Sequence, residues 1–296
     1  MFLKISTLPC RAPRFFKVAE ALPVTKVEKN RLYLELDGLD GDKFNSNWDL
    51  FPWNPDYCPS CDQYIYDMDY KGIKFSASDD ETCPNCGDKL DGGLLAHNSQ
   101  GQFGWQSWIK RPLCVGHKSD DQTRHYGEIL DALPVRDKKT IRMVASVDRD
   151  HIEKHHPGLL SRYEHGESTD VSQGSKVVYS LCSKCGHKAA KEEDYCEHIK
   201  LSRGRLLPLE KNDRPYIHAI ENGGFVRVGE ICYDVSGYEM SLVPHGACDV
   251  AVVHNVLKAA AKEQGLPLPV SGLEAQLGRR MMRTIGEFFI EQAERT

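Results

Sequence analysis

Asp170-Val-Ser-Gln-Gly-Ser-Lys-Val-Val178 predicts an apolar strand with polar residues at its edge, and Val235-Ser-Gly-Tyr-Glu-Met-Ser-Leu-Val-Pro244 predicts a second. These two stretches decide the fold, because they predict a strand-rich core in the second half of the chain. In the first stretch, Ser172 stands shortly before Gly174, where a turn can expose the serine hydroxyl. In the second, Glu239 is an acidic side chain among apolar neighbours.

Outward from Ser172, the chain offers a base and an orienting acid for a serine nucleophile. His117 lies upstream and Glu239 lies downstream. A serine hydroxyl is activated by a base within hydrogen-bond reach, and a third group orients that base. His125 is a rival for the base, although a surface histidine after Arg124 is the simpler interpretation. The residues alone do not show that this trio meets in space, since such a set can be picked from any chain of this size.

Two cysteine pairs form a first module, Cys58-Pro-Ser-Cys61 and Cys83-Pro-Asn-Cys86, separated by 21 residues. A structural zinc ion takes four tetrahedral ligands, and each Cys-x-x-Cys turn supplies two. Gly87 can adopt the positive φ that lets the second turn wrap around the metal. With strands predicted around a turn at Lys71-Gly72, this spacing is typical of a zinc ribbon. We predict a structural zinc site, because four cysteines leave no open coordination position.

A second cysteine module combines Cys182-Ser-Lys-Cys185-Gly-His187 with Cys196-Glu-His198. His187 is a substitute for His198 as a ligand, and a buried thiol cluster is the alternative to metal. The predicted zinc ligands are Cys182, Cys185, Cys196 and His198. The cysteines that fit neither module are predicted to be buried thiols: Cys10, Cys114, Cys232 and Cys248.

The composition is that of an ordinary globular protein. The chain has 296 residues, 40% hydrophobic and 27% charged, with a formal net charge of -5. This charge argues against a nucleic-acid-binding surface at the level of the whole chain. We find no apolar run of about 18 residues and no secretion signal, so we expect a soluble protein of a reducing compartment. There, the eleven cysteines are metal ligands and free thiols more readily than disulfides.

The chain is predicted to have four parts. Residues 1–50 carry a strand, Arg31 to Leu36, that ends at Asp37-Gly38, and residues 51–95 form the zinc ribbon. Residues 96–255 form the core, with the second zinc insert at 181–200. Residues 256–296 form C-terminal helices. Residues 249–264 have a helical pattern. A further amphipathic helix begins at a capping box, Ser271 and Glu274. Its apolar stripe is Leu273, Leu277, Met281, Ile285 and Phe289.

The order of these motifs resembles the prohead maturation proteases of tailed bacteriophages, a family related in fold to the herpesvirus capsid protease, assemblin. The resemblance covers residues from about 105 to 255. It departs from the family pattern where His245-Gly246 interrupts a Pro-Ala pair and where Gln173 follows the serine. The matching motifs are His117, Gly127-Glu-Ile129, Leu160 to Gly166, Ser172-Gln-Gly174 and Glu239 to Pro244.

The resemblance implies an α+β fold, with an assemblin-like β-barrel core flanked by helices. It implies a serine endopeptidase in which Ser172 is the nucleophile, His117 the base and Glu239 the orienting acid. Its substrates would be internal scaffold or core proteins of the capsid and the protease itself. Its place would be the assembling prohead in the host cytoplasm, and the major capsid protein would be a partner.

Two other functions stay open from the sequence. One is a catalytically inactive virion or scaffold-associated protein of the same fold. The other is a zinc-ribbon nucleic-acid-binding protein, which the acidic residues of the first module argue against. Self-association is an open question, and we expect no membrane partner.

Overall fold

The computed structural model describes residues 2–5, 30–65, 82–167, 170–221, 224–243 and 251–257. The fold is α+β and consists mostly of strands. The helices of the described residues are α1 (Arg149–His155), α2 (Leu159–Glu164) and α3 (Glu197–Ser202). The strands are β1 (Phe2–Ile5), β2 (Arg31–Asp40), β3 (Asp49–Leu50), β4 (Tyr57–Cys58), β5 (Gln63–Tyr64), β6 (Pro112–Val115), β7 (Gly127–Val135), β8 (Thr140–Asp148), β9 (Val171–Cys182), β10 (Lys188–Ala189), β11 (Leu206–Pro208), β12 (Ile220–Glu221), β13 (Phe225–Arg227), β14 (Glu230–Leu242) and β15 (Val253–Leu257).

Ten of these strands form one mixed sheet. Its main path runs β1-β9-β14-β6-β7-β8-β2-β15, with β10 paired to β9 and β3 paired to β14. Both stretches that opened the sequence analysis are strands, and they pair with each other: β9 and β14 run antiparallel, with Val171 opposite Leu242 and Cys182 opposite Glu230. On its other side, β14 pairs in parallel with β6.

The described strands do not close into a barrel, so the expected barrel is wrong for this part of the chain. β1 and β15 stand at opposite ends of the sheet path. The residues at the start of β9 contact those just before β15: Asp170 forms a bridge with Val252, and the Val171 N–H donates to the Ala251 carbonyl at 2.9 Å. The described ladders do not extend this contact into a strand pair, and the sheet stays open.

The sheet nevertheless curves around one large core. Leu34 of β2 and Val171 of β9 belong to the same buried cluster, although their strands lie far apart in the sheet order. Trp108 is completely buried in this cluster, at the end of a 3-10 helix, Gly104–Trp108. Burial of each large apolar side chain contributes about 1.5–3 kcal/mol, so packing of this cluster stabilises the arrangement of the distant strands.

The predicted strand near the N-terminus is confirmed and is longer than expected. β2 does not end at Asp37-Gly38 but continues to Asp40, with a register irregularity between Asp37 and Leu39. Gly38 lies inside this irregularity, where an added Cβ would be 2.9 Å from the terminal methyls of Met143 and Met240. The Asp-Gly pair therefore permits close packing of two methionines rather than a turn.

The helix expected over residues 249–264 is wrong where it can be compared. Val253–Leu257 is strand β15, paired antiparallel with β2. The β-branched residues of this segment suit a strand. β8 pairs with only one edge of β2, and the other edge offers backbone partners to β15, which a periodicity in the sequence cannot predict. The predicted helix from Ser271 onward lies outside the described residues.

A second buried cluster joins the cysteine modules to the sheet. It contains four tyrosines, and the rings of Tyr179 and Tyr233 stack with centroids 5.4 Å apart and an interplanar angle of 8°. β4 and β5 form a short hairpin beside it. The predicted turn at Lys71-Gly72 lies outside the described residues. The four tyrosines are Tyr57, Tyr179, Tyr216 and Tyr233.

Among the parts of the chain that the structure describes, no helix has both the length and the apolar character needed to cross a membrane.

Candidate active site and metal centres

The pairing of β9 with β14 sets the floor of the candidate active site. Ser241 lies opposite Ser172, and Glu239 lies opposite Gly174. Opposed residues of an antiparallel pair project from the same face, and so do residues two apart on one strand. Ser172, Glu239 and Ser241 therefore share one face of the sheet. The Glu239 side chain lies over Gly174, where an added Cβ would be 2.8 Å from Glu239 Oε1.

His117 reaches this face from the end of β6. Gly116 and His117 both have left-handed backbone conformations, with φ of 63° and 59°. For a non-glycine residue this conformation costs about 1–2 kcal/mol, so it needs support from the surroundings. The support comes from β14: the Gly116 N–H donates to the Leu242 carbonyl at 3.1 Å, and the His117 N–H donates to Ser241 Oγ at 3.0 Å.

The structure brings His117 and Glu239 into direct contact. Nδ1 of His117 lies 2.7 Å from Oε1 of Glu239, and the two side chains are 13% and 1% exposed. An ionised carboxylate can only accept here, so the contact favours the tautomer with its proton on Nδ1, which in the neutral imidazole leaves the lone pair on Nε2. Nε2 is buried and has no hydrogen-bond partner among the described residues. The imidazole is thus oriented by one nitrogen and available through the other.

Ser172 lies on the same face, but not in the setting that its sequence suggests. The structure places it within the long strand β9 rather than in a turn, and the residue is only 1% exposed. The prediction of a hydroxyl exposed by a turn at Gly174 is therefore wrong. Nε2 of His117 has no partner within the described ranges, which include Ser172, so no hydrogen bond joins Nε2 to Ser172 in this conformation. The structure brings the three residues to one face and links two of them directly.

His125 does not compete for the carboxylate. Its Nε2 lies 2.7 Å from the carbonyl oxygen of Ser119. The contact of His117 with Glu239 makes His117 the histidine of this site.

Two residues of the site were missed by the sequence reasoning. Ser241 Oγ donates to Glu239 Oε2 at 2.6 Å, and Cys114 lies opposite Ser241 across the β6–β14 pair. Burial, together with the charge of Glu239, raises the pKa of the Cys114 thiol to about 12, which makes it a poor nucleophile. Strand alternation was the available signal for Ser241, since it stands two residues after Glu239. The prediction that Cys114 and Cys232 are buried is confirmed, while Cys10 and Cys248 lie outside the described residues.

The four predicted ligands of the first module converge. Their sulfur atoms lie within 4.8 Å of one another, with Cys58 3.6 Å from Cys86 and Cys61 3.8 Å from Cys83. Tetrahedral zinc–sulfur bonds of about 2.3 Å place two sulfurs about 3.8 Å apart, whereas a disulfide would place them about 2 Å apart. The cluster therefore has the geometry of a four-sulfur metal site, and it could hold a metal ion.

The predicted ligands of the second module converge in the same way, and the structure favours one of its two candidate histidines as the fourth ligand. The ligand atoms of Cys182, Cys185, Cys196 and His198 lie within 4.8 Å of one another, and the sulfurs of Cys185 and Cys196 are 3.7 Å apart. Nδ1 of His198 is buried, and none of the residues that the structure describes forms a hydrogen bond with it. His187, the alternative ligand, instead places Nε2 2.8 Å from the Asp194 carbonyl oxygen. The donor set of this second cluster is three thiols and one imidazole.

An arginine joins the two metal modules. Arg214 Nη1 lies 3.1 Å from Asp62 Oδ2, and its Nη2 donates to the Asp62 carbonyl. Asp62 also accepts from the Tyr57 hydroxyl at 2.6 Å, and the hydrogen bonds from Tyr57 and Arg214 hold the pKa of Asp62 below its usual value. On the other side, a Cβ added at Gly186 would lie 3.4 Å from the Arg214 side chain. Arg214 thus bridges the turn after Cys61 and the turn after Cys185.

The chain matches no protein-family model, no curated protein and no solved structure. The description of the site therefore rests on its own residues: a serine, a histidine and a glutamate on one sheet face, and two clusters with the geometry to hold metal ions.

Proposed function

We propose that the protein is a serine endopeptidase in which Ser172 is the nucleophile, His117 the general base and Glu239 the acid that orients the base. One observation carries the proposal. His117 is held at Nδ1 by Glu239 at 2.7 Å, while its Nε2 is buried and finds no partner in the part of the chain that the structure describes. A histidine oriented in this way can take a proton from a hydroxyl that comes within reach.

In the proposed mechanism, Ser172 Oγ attacks the carbonyl carbon of the scissile peptide bond, and its proton passes to Nε2 of His117. Glu239 stays ionised and stabilises the imidazolium that forms. His117 then gives the proton to the leaving amine, which leaves an acyl group on Ser172. Water then attacks this ester while His117 takes its proton; the bond between the acyl group and Ser172 Oγ breaks, the acid product leaves, and His117 returns the proton to Ser172 Oγ. Since no hydrogen bond joins Ser172 to Nε2 in this conformation, the Ser172 hydroxyl must turn towards Nε2 when substrate binds. Hydrogen bonds between catalytic groups often form fully only in the substrate complex.

We further propose that both metal clusters hold zinc and that the two ions are structural. Thiolate and imidazole ligands suit zinc, and four protein ligands leave no open position for substrate or water. Each ion would supply the core of a module that is too short to build one from apolar side chains. This role keeps the metals separate from the proposed hydrolysis.

The resemblance to prohead maturation proteases gives the proposed substrates. The protease would cleave internal scaffold or core proteins and itself, next to the major capsid protein in an assembling prohead. This part of the proposal is supported by the order of the sequence motifs. The net charge of -5 argues against the alternative of a nucleic-acid-binding protein.

A catalytically inactive virion or scaffold-associated protein is the second candidate. It is favoured by the missing hydrogen bond between Ser172 and Nε2 of His117 in the described structure. The two candidates differ in one measurable property, the reactivity of Ser172.

The test is active-site labelling with a serine-reactive fluorophosphonate, read by intact mass. Wild type, Ser172→Ala and Ser175→Ala are prepared with zinc. Ser175 is the matched control, because it is also fully buried on β9 and its hydroxyl donates to Gln173 rather than contributing to the site. We expect one adduct on wild type and Ser175→Ala and none on Ser172→Ala. Folded, metal-loaded wild type that stays unlabelled, even when co-expressed with scaffold protein, would establish the inactive candidate.

A further inference from the structure

Ser241 occupies the centre of the His117–Glu239 pair, although the proposed chemistry gives it no part. The residue is fully buried on β14. Its Oγ donates to Glu239 Oε2 at 2.6 Å and accepts from the His117 N–H at 3.0 Å. One hydroxyl thus contacts both the side chain of the acid and the backbone of the base.

These two hydrogen bonds remove the remaining freedom of the pair. Glu239 has two carboxylate oxygens, and with Oε2 held by Ser241 the other oxygen is directed at Nδ1 of His117. The His117 backbone is left-handed, with φ of 59°. The hydrogen bond from its N–H to Ser241 Oγ is one of the contacts that hold residues 116 and 117 against β14. Loss of the hydroxyl would release the acid and the base together.

We propose that Ser241 is a positioning residue, which keeps His117 protonated at Nδ1 and free at Nε2. The catalytic consequence rests on the proposed function, but the effect on the imidazole is a separate property of the His117–Glu239 pair. The same geometry separates the roles of the two facing serines. The hydroxyl hydrogen of Ser241 is committed to Glu239. Ser241 therefore cannot give this hydrogen to His117, and the nucleophile's role falls to Ser172 on the opposite strand.

The test compares Ser241→Ala with Ser180→Ala in the full chain with zinc. Ser180 is a matched control, since its buried hydroxyl donates to the buried carboxylate of Glu230 at 2.7 Å across the same strand pair, away from His117. The first readout is the imidazole tautomer of His117, measured by 1H–15N correlation spectroscopy and assigned with His117→Gln. The second readout is the rate of fluorophosphonate labelling at Ser172.

We expect wild type and Ser180→Ala to show His117 protonated at Nδ1, and Ser241→Ala to show a mixture of both tautomers. We expect labelling of Ser241→Ala to slow by about tenfold or more, because a buried carboxylate loses a charged hydrogen bond. An unchanged tautomer and an unchanged rate in Ser241→Ala would overturn the proposal and leave the protease assignment standing. A wild type that does not label, combined with a tautomer change in Ser241→Ala, would uphold the positioning role and sink the protease instead. If Ser241→Ala does not fold, Ser241→Cys makes the same comparison with a weaker donor of similar size.

Discussion

Gly174→Ala is expected to destabilise the protein through a single buried contact. The added Cβ would lie 2.8 Å from Oε1, 3.0 Å from Cγ and 3.3 Å from Cδ of Glu239. The carboxylate would have to move by about half an ångström to reach ordinary van der Waals contact. It is not free to do so, because Oε1 lies 2.7 Å from His117 Nδ1 and Oε2 lies 2.6 Å from Ser241 Oγ.

Two opposing terms set the expected size of this effect. Overpacking of a well-packed interior costs about 1–3 kcal/mol. Replacing glycine by alanine returns about 0.4–1 kcal/mol, since it restricts the unfolded chain. The net loss in the free energy of unfolding is therefore about 1–2 kcal/mol. If Glu239 is first shortened to alanine, the clash disappears, and Gly174→Ala should cost nothing or stabilise by a few tenths of a kcal/mol.

The assay is a double-mutant cycle by urea denaturation, with zinc present and tryptophan fluorescence as the probe. Wild type, Gly174→Ala, Glu239→Ala and the double variant are compared, and the chain's four tryptophans supply the signal. A coupling energy of about 1–3 kcal/mol is expected between the two positions. A Gly174→Ala variant that is more stable than wild type, or a coupling near zero, would refute the placement of the Glu239 carboxylate over Gly174.

Two further predictions concern metal and thiol chemistry. The purified chain is expected to hold two zinc equivalents by elemental analysis. Removal of the metal should abolish cooperative thermal unfolding of the modules, since binding of each structural zinc contributes about 10–16 kcal/mol of free energy. Fewer than one zinc equivalent in folded protein would contradict this prediction. Cys114 is expected to resist iodoacetamide at pH 8 in the folded protein and to react after unfolding. A thiol with its pKa raised to about 12 stays protonated at pH 8, and it loses this protection when unfolding returns the pKa to the ordinary value of 9.0. Peptide mapping with and without urea measures the labelling, and rapid labelling in folded protein would count against the burial of this thiol.

The sequence anticipated the parts of the molecule that depend on local spacing. A Cys-x-x-Cys turn brings two sulfurs together whatever surrounds it, so the ligand set could be written before any strand was placed. The sequence named His198 as a ligand with His187 as a substitute, and the structure supports His198, because His187 instead contacts the backbone of Asp194. Strands β9 and β14 were also foreseeable, since their apolar and β-branched residues suit extended chain.

The register between distant segments was decided only by the tertiary structure. His117 and Glu239 are 122 positions apart in the chain, and they meet because β6, which precedes His117, pairs with one edge of β14, which carries Glu239; β9 pairs with the other edge of β14. The same pairing buries Ser172 inside a strand and sets Ser241 between base and acid. A helical pattern before Leu257 became strand β15, because the free edge of β2 offered backbone partners. By itself, the sequence determined which side chains can bind metal or carry chemistry. Only the folded sheet decided which of them touch, because contacts between strands follow from pairing across the whole chain rather than from neighbouring residues.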